Sequence, residues 1–206
     1  MDRKQHWEQV YSTKASDSVS WFQEHAELSL RLIHNTGLSK DAAIIDVGGG
    51  ASTLVDDLVA KDYTDLTVLD LSPSAISVAK QRLGKHAEAV DWMIGDITLA
   101  EFPVHRFDIW HDRAVFHFLT KPNDRHAYVE RVIRAVRPGG HVIIATFAED
   151  GPEKCSGLPV IRYRPESLHA EFGEAFLLVE HKKEVHHTPS GSNQQFVYCY
   201  CRKGSN

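Results

Sequence analysis

Short apolar runs alternate along this chain with segments whose apolar residues return every three or four positions. Residues 42–47 form a brief apolar run bounded by Asp41 and by glycines, the pattern of a buried strand. Ala51, Leu54, Val55, Leu58 and Val59 then recur at helical spacing. Residues 66–71 read as a second strand. Ser72-Pro73 follows as an N-cap with proline at the first helical position. Ala75, Ile76, Ala79 and Leu83 give that helix its apolar stripe, and Gly84 stops it. Residues 89–94 and 107–110 read as the third and fourth strands. Val129, Val132, Ile133 and Val136 mark another amphipathic helix, ended by Pro138-Gly139-Gly140, and residues 141–147 form a nearly all-apolar fifth strand.

Strand and helix alternate throughout this stretch, which predicts an α/β fold with a mostly parallel sheet covered on both faces. The remainder reads differently. Residues 165–172 suit a short helix. Residues 175–185 and 194–201 suit two strands joined by the turn-rich Thr188-Pro189-Ser190-Gly191-Ser192-Asn193, an antiparallel pair at the sheet edge. The first 36 residues add one or two helices; Leu28, Leu32 and Ile33 give the second its inner face, and Gly37 is its stop.

Composition narrows the function. The 206 residues suffice for one full-sized domain, with 42% apolar and 25% charged residues, ordinary for a soluble globular protein. No apolar run approaches a membrane span. The opening Met1-Asp2-Arg3-Lys4-Gln5-His6-Trp7 has charge but no following apolar stretch, so no secretory signal and a cytoplasmic location are expected. Three cysteines, an odd count, argue against a disulfide framework. A net charge of −5 gives no support for strong nucleic-acid binding, which needs a positive field.

The chemistry centres on Asp46-Val47-Gly48-Gly49-Gly50, at the carboxyl end of the first strand and directly before a helix. Open parallel sheets bind ligands at such ends, and glycines there allow a tight turn and close backbone approach. A glycine-rich connection without a ligand is the alternative. Three carboxylates sharpen the reading. Asp70 ends the second strand, where it can accept both hydroxyls of a ribose. Asp96, in Gly95-Asp96-Ile97, ends the third, where it can accept from an adenine amino group. Asp46 points toward the same mouth. A dinucleotide pyrophosphate would meet like charge at Asp46, costing about 4 kcal/mol at ~4 Å in an effective dielectric of ~20. A sulfonium amino acid has no phosphate, and its positive groups favour that carboxylate. The spacing also lacks the third glycine of the dinucleotide fingerprint.

The ordered set Asp46 to Ser52, Leu69-Asp70-Leu71-Ser72, Gly95-Asp96-Ile97, Phe107-Asp108-Ile109-Trp110 and Arg137-Pro138-Gly139-Gly140 resembles the class I S-adenosylmethionine-dependent methyltransferases over residues 40–147. The resemblance implies a Rossmann-like doubly wound sheet of seven strands, order 3-2-1-4-5-7-6, mostly parallel with an antiparallel C-terminal strand. It implies S-adenosylmethionine as cofactor: Asp46, Gly48, Gly49 and Gly50 at the methionine end, Asp70 and Leu71 at the ribose, Asp96 and Ile97 at the adenine, and His111 on the methyl-donor side. Trp7-Glu8-Gln9-Val10-Tyr11 and Ser20-Trp21-Phe22 are similar to the lid of a subgroup that includes small-molecule and protein-lysine methyltransferases, which places Tyr11 and Trp21 over the cofactor. These aromatics packing a helix onto the sheet is the alternative. One domain is expected: a helical lid over 1–36, a cofactor-binding core over 40–147 and an acceptor-side part over 148–206.

Methyl transfer is an in-line displacement, so alignment matters most and a general base only if the acceptor must lose a proton. Trp110-His111-Asp112-Arg113 follows the fourth strand at the pocket mouth. Asp112 and His111 are the candidates to orient or deprotonate a small-molecule or protein acceptor; Arg113 pairs with an anionic substrate or with Asp112, and His117 reads as packed under the loop. Cys155, His186, His187, Cys199 and Cys201 are acceptable zinc ligand types but lack paired spacing, so no metal is expected. A dinucleotide-dependent oxidoreductase and a non-catalytic nucleotide-binding protein of the same fold are the competing readings.

Overall fold

A computed structural model describes residues 3–205; Met1, Asp2 and Asn206, at the ends of the expected domain, lie outside the described residues. Two helices, α1 (Arg3–Thr13) and α2 (Glu27–Asn35), precede the sheet. Then come β1 (Ala43–Val47), α3 (Leu54–Ala60), β2 (Asp65–Asp70), α4 (Pro73–Leu83), β3 (Val90–Ile94), β4 (Phe107–Arg113), α5 (Pro122–Ala135) and β5 (Val136–Phe147). A two-residue pair, β6 (Lys154–Cys155) and β7 (Leu158–Pro159), α6 (Pro165–Phe172), β8 (Phe176–His187) and β9 (Asn193–Lys203) complete the order.

The seven-stranded sheet runs β3-β2-β1-β4-β5-β9-β8. With the small β6–β7 hairpin set aside, this is the expected 3-2-1-4-5-7-6 order. The pairs among β1 to β5 are parallel, and β9 runs antiparallel to both β5 and β8.

Parity along the central strands decides which helices they meet. Ile44, Ile109 and Ile143 face Leu32 of α2 and Leu54 and Leu58 of α3. Ile45, Trp110 and Ile144 face Val132 of α5 and Leu168 of α6. Each of these side chains is essentially inaccessible, and burying one contributes roughly 1.5–3 kcal/mol.

The caps follow the sequence. Ser72 Oγ accepts the Ala75 N–H at 3.1 Å with Pro73 in the first turn, and Gly84 ends α4 at φ +57°. Gly37 follows α2 at φ +71°. Three boundaries differ from expectation by three residues or more. Residues 51–53 form a turn, so α3 starts at Leu54, where Ser52 Oγ accepts its N–H. Val136 leaves the α5 face and begins β5, which takes up Pro138-Gly139-Gly140. β4 continues past Trp110 to Arg113, because its added polar residues pair with β1 and β5. No described helix is long and apolar enough to cross a membrane.

Candidate active site

A cleft of about 750 Å³, open mouth included, lies beyond the carboxyl ends of β1, β2, β3 and β4. Gly48, Asp70, Leu71, Asp96 and Ile97 line it. A second chamber of about 540 Å³ shares Tyr11, Trp21, Gly48 and Arg113 with the first and reaches Asp46, Gly49, His111 and Ser29.

The glycines are fixed by what surrounds them. Gly48 sits at φ +74°, donates to the Leu69 carbonyl at 2.7 Å, and a Cβ there would strike Val115. A Cβ on Gly49 would strike Asp46 Oδ2, and one on Gly50 would lie 2.7 Å from Asp70 Oδ2. The turn is therefore threaded between two carboxylates and Val115, two residues past β4.

Asp70 is buried. Its Oδ2 accepts the Gly50 N–H at 3.0 Å and its Oδ1 the Ser72 N–H at 2.8 Å. Burial pushes its carboxyl up to about 6, against the pull of those N–H groups. Asp96 Oδ1 accepts the Thr98 N–H and hydroxyl, and its Oδ2 faces Arg3 of α1 at 3.4 Å. Asp46 pairs in register with His111 across β1 and β4. Its Oδ1 lies 2.7 Å from His111 Nδ1, and its buried Oδ2 has no protein partner. His111 Nε2 in turn meets Ser29 Oγ at 2.8 Å.

The N-terminal residues close over the cleft. Trp7 lies edge-on to Trp21 and to Phe118, with centroids 5.4 and 5.1 Å apart, and the Trp21 indole N–H donates to the Tyr11 hydroxyl at 3.1 Å. Burial pushes the Tyr11 phenol far up. Glu8 fastens α1 to the first turn of α4: its carboxylate accepts the hydroxyls of Ser72 and Ser74 at 2.6 and 2.5 Å and the Ser74 N–H at 3.2 Å.

A methyltransferase domain family matches residues 44–140. The chain is similar to malonyl-[acyl-carrier protein] O-methyltransferase of Paenibacillus sp. strain JDR-2, 27% identical over 59% of this chain and 45% of that protein. It is also similar to human EEF1A lysine methyltransferase 2, 22% identical over 86% of this chain and 75% of that protein. A solved structure from work on conversion of a disulfide bond into a thioacetal group during echinomycin biosynthesis superposes with a TM-score of 0.81 at 18% identity, covering 100% of this chain and 94% of that one. The chain spans less than half the length of the first of these relatives, and 21% of a mouse eEF1A lysine and N-terminal methyltransferase that it also matches.

The matched domain and the sheet order agree with the resemblance to the class I S-adenosylmethionine-dependent methyltransferases. The family's cofactor fits the residues present. The free, buried Oδ2 of Asp46 suits a ligand ammonium, the glycine turn leaves room for a ligand backbone, and Asp70 and Asp96 offer acceptors at the neighbouring strand ends.

The structure separates His111 and Asp112, each a candidate to orient or deprotonate an acceptor. His111 faces the second chamber. Asp112, one residue on, turns to the opposite face and does not line the cleft. It is 0% exposed and accepts from the Val115 N–H at 2.9 Å, the Phe116 N–H at 3.1 Å and the Tyr128 hydroxyl at 2.7 Å. These bonds hold a turn in which Ala114 sits at φ +72°, a conformation costing about 1–3 kcal/mol. Burial pushes the Asp112 carboxyl up to about 7, with the Tyr128 hydroxyl pulling the other way. Its place is structural because strand parity points it at α5.

Arg113 does not pair with Asp112. It donates to the Tyr198 hydroxyl and the Trp21 carbonyl and faces Glu184 at 3.3 Å. His117 is packed as expected, accepting the Phe147 N–H, and burial pushes it down to about 3. Cys155 lines the cleft, but burial pushes its thiol up to about 12, so it stays neutral. Cys199 and Cys201 share one face of β9 and pack in the core. Arg125 and Arg131 of α5 pair with Glu171 and with the Ala100 carbonyl, and Arg137 of β5 pairs with Asp108, so these three cations are engaged within the chain.

Ser29, Glu8, Arg3 and Phe118 were not singled out by the sequence. Ser29 carried a signal nonetheless: it interrupts the buried stripe of α2 between Leu28 and Leu32.

Proposed function

We propose that this chain transfers the methyl group of S-adenosylmethionine, by in-line displacement, to a small-molecule acceptor beneath the N-terminal helix. The observation that carries the reading is the unpartnered, buried Asp46 Oδ2 beside the glycine turn, a charge that attracts an ammonium and repels a pyrophosphate. When bound, the cofactor supplies a methyl group on a positively charged sulfur, already activated for displacement. Asp46 with Gly48, Gly49 and Gly50 holds its amino-acid end. Asp70 and Leu71 hold the ribose, and Asp96 with Ile97 frames the adenine. Tyr11 and Trp21 cover the cleft and keep water out, and His111, with both ring nitrogens bonded within the chain, backs the amino-acid end. Asp112 supports the β4 turn from behind.

The division is a lid over 1–36, a cofactor core over 40–147 and an acceptor-side part over 148–206, acting in the cytoplasm. The latched aromatic lid favours a small acceptor, because it leaves limited room above the cleft. A protein side chain is the second class, favoured by the likeness to a lysine methyltransferase over 86% of this chain. The intramolecular pairing of Arg125, Arg131 and Arg137 supports no nucleic-acid partner.

Calorimetric titration with S-adenosylhomocysteine, NAD and NADP is the first test. Binding of the first alone, followed by label transfer from methyl-labelled cofactor to members of an acceptor panel, is the expected result. Dinucleotide binding without S-adenosylhomocysteine binding overturns the reading.

A further inference from the structure

Three polar side chains form an unbroken hydrogen-bonded row at the back of the second chamber: Ser29 on α2, His111 on β4 and Asp46 on β1. They are 0%, 2% and 4% exposed. The separations are 2.8 Å from Ser29 Oγ to His111 Nε2 and 2.7 Å from His111 Nδ1 to Asp46 Oδ1. Burying three polar groups together is costly unless each is satisfied. The single exception in the row is Asp46 Oδ2.

The chemistry of the row sets its protons. A carboxylate only accepts, so His111 Nδ1 carries the hydrogen facing Asp46. Nε2 of the neutral ring is then an acceptor, and Ser29 is its donor. The Tyr198 hydroxyl on β9 receives Arg113 Nε at 3.0 Å. The carboxylate is thus clamped through one oxygen while the other is kept free against Gly49, whose missing Cβ leaves the room.

We propose that Ser29 and His111 are positioning residues for the amino group of the cofactor: they hold the Asp46 carboxylate so that Oδ2 alone reads the ligand's ammonium. The proposal rests on the reading that Asp46 meets that amino group. Without the Ser29 donor, the imidazole is free to turn, and a turned ring releases Asp46 Oδ1. Neither Ser29 nor His111 has to touch the reacting atoms for this.

The test compares S-adenosylhomocysteine with its des-amino analogue, which keeps the adenosine and the carboxylate. The readout is the ratio of their dissociation constants by calorimetry, not turnover. Wild type prefers the amino ligand, and Ser29→Ala and His111→Leu each shrink that preference by about tenfold, the scale of a charge-assisted hydrogen bond. His111→Asn, whose amide can still donate to Asp46, keeps more of it than His111→Leu. Binding of the des-amino analogue, unchanged within about twofold, doubles as the check that each variant is folded. An unaltered ratio in Ser29→Ala, or parallel loss of both ligands, overturns the positioning role. A wild type that does not distinguish the two ligands overturns the underlying placement of the amino group as well.

Discussion

The Glu8 carboxylate on α1 takes the Ser72 hydroxyl at 2.6 Å across 64 residues of chain, while the same hydroxyl oxygen caps α4 by accepting the Ala75 N–H. The lid is thus tied to the strand end that carries Asp70. The positive end of α4 adds to the attraction.

Glu8→Ala should loosen the lid and leave the sheet intact. S-adenosylhomocysteine should dissociate faster and bind about two- to fivefold more weakly, the scale of a carboxylate at a helix N-terminus. Stopped-flow tryptophan fluorescence can follow this through Trp7 and Trp21. The Ser72 and Ser74 hydroxyls hold the Glu8 carboxyl below its usual range. The latch is therefore complete above the ordinary glutamate value near 4.3 and is lost as pH falls through the depressed folded value. An off-rate unchanged by the substitution would mean that the aromatic contacts alone close the lid.

Asp70 behaves in the opposite sense. Its folded carboxyl titrates at about 6, raised by burial. The folded state then holds a proton that the unfolded chain has released above roughly 4. Asp70 therefore lowers stability as pH rises from there through about 6. A ribose needs the ionised form as its acceptor. Adenosine affinity should accordingly rise between pH 5 and 8, and Asp70→Asn should flatten the curve. Calorimetry at both pH values decides this; a parallel slope in Asp70→Asn assigns the titration to another group.

Asp112 provides a structural counterpart. Asp112→Asn keeps an acceptor for Tyr128 but turns an amide toward the Val115 or Phe116 N–H, costing about 1–3 kcal/mol. Wild type holds a carboxyl that titrates at about 7, so its own stability falls as pH rises from the ordinary aspartate range to that value. The melting-temperature gap between wild type and Asp112→Asn should therefore narrow from pH 5 to pH 8. S-adenosylhomocysteine affinity should stay within about twofold. A large loss of binding with no change in melting would restore Asp112 to the cleft chemistry.

That placement shows where sequence reading stopped. The glycine turn and the acids at residues 46, 70 and 96 were legible because each sits at a strand end that local pattern defines. β4 was expected to end at Trp110, so His111 and Asp112 had no assigned parity. Extended to Arg113, the strand puts His111 with Ile109 on the α2 face and Asp112 with Trp110 on the α5 face. Polar residues buried by pairing broke the apolar run that marked the strand. The Ser29–His111–Asp46 row was hidden for a different reason: its contacts span 82 and 65 residues, and no local pattern encodes them.

The glycines allow the two halves of the cofactor site to be read separately. Gly49 has no positive φ, and a Cβ there meets chiefly Asp46 Oδ2. Gly49→Ala should therefore fold normally yet displace the carboxylate held by His111, weakening S-adenosylhomocysteine about tenfold, as expected when a charged hydrogen bond is lost, with adenosine affinity retained. Gly139→Ala is the control. It sits at φ +74° with the nearest atom 3.7 Å from a Cβ, so it carries backbone strain of about 1–2 kcal/mol and no collision. It should lower the melting temperature and leave both ligands unaffected. Gly48→Ala combines positive φ with a clash against Val115 and should show both losses. Equal loss of adenosine and S-adenosylhomocysteine in Gly49→Ala would place the ligand's amino-acid end away from Asp46.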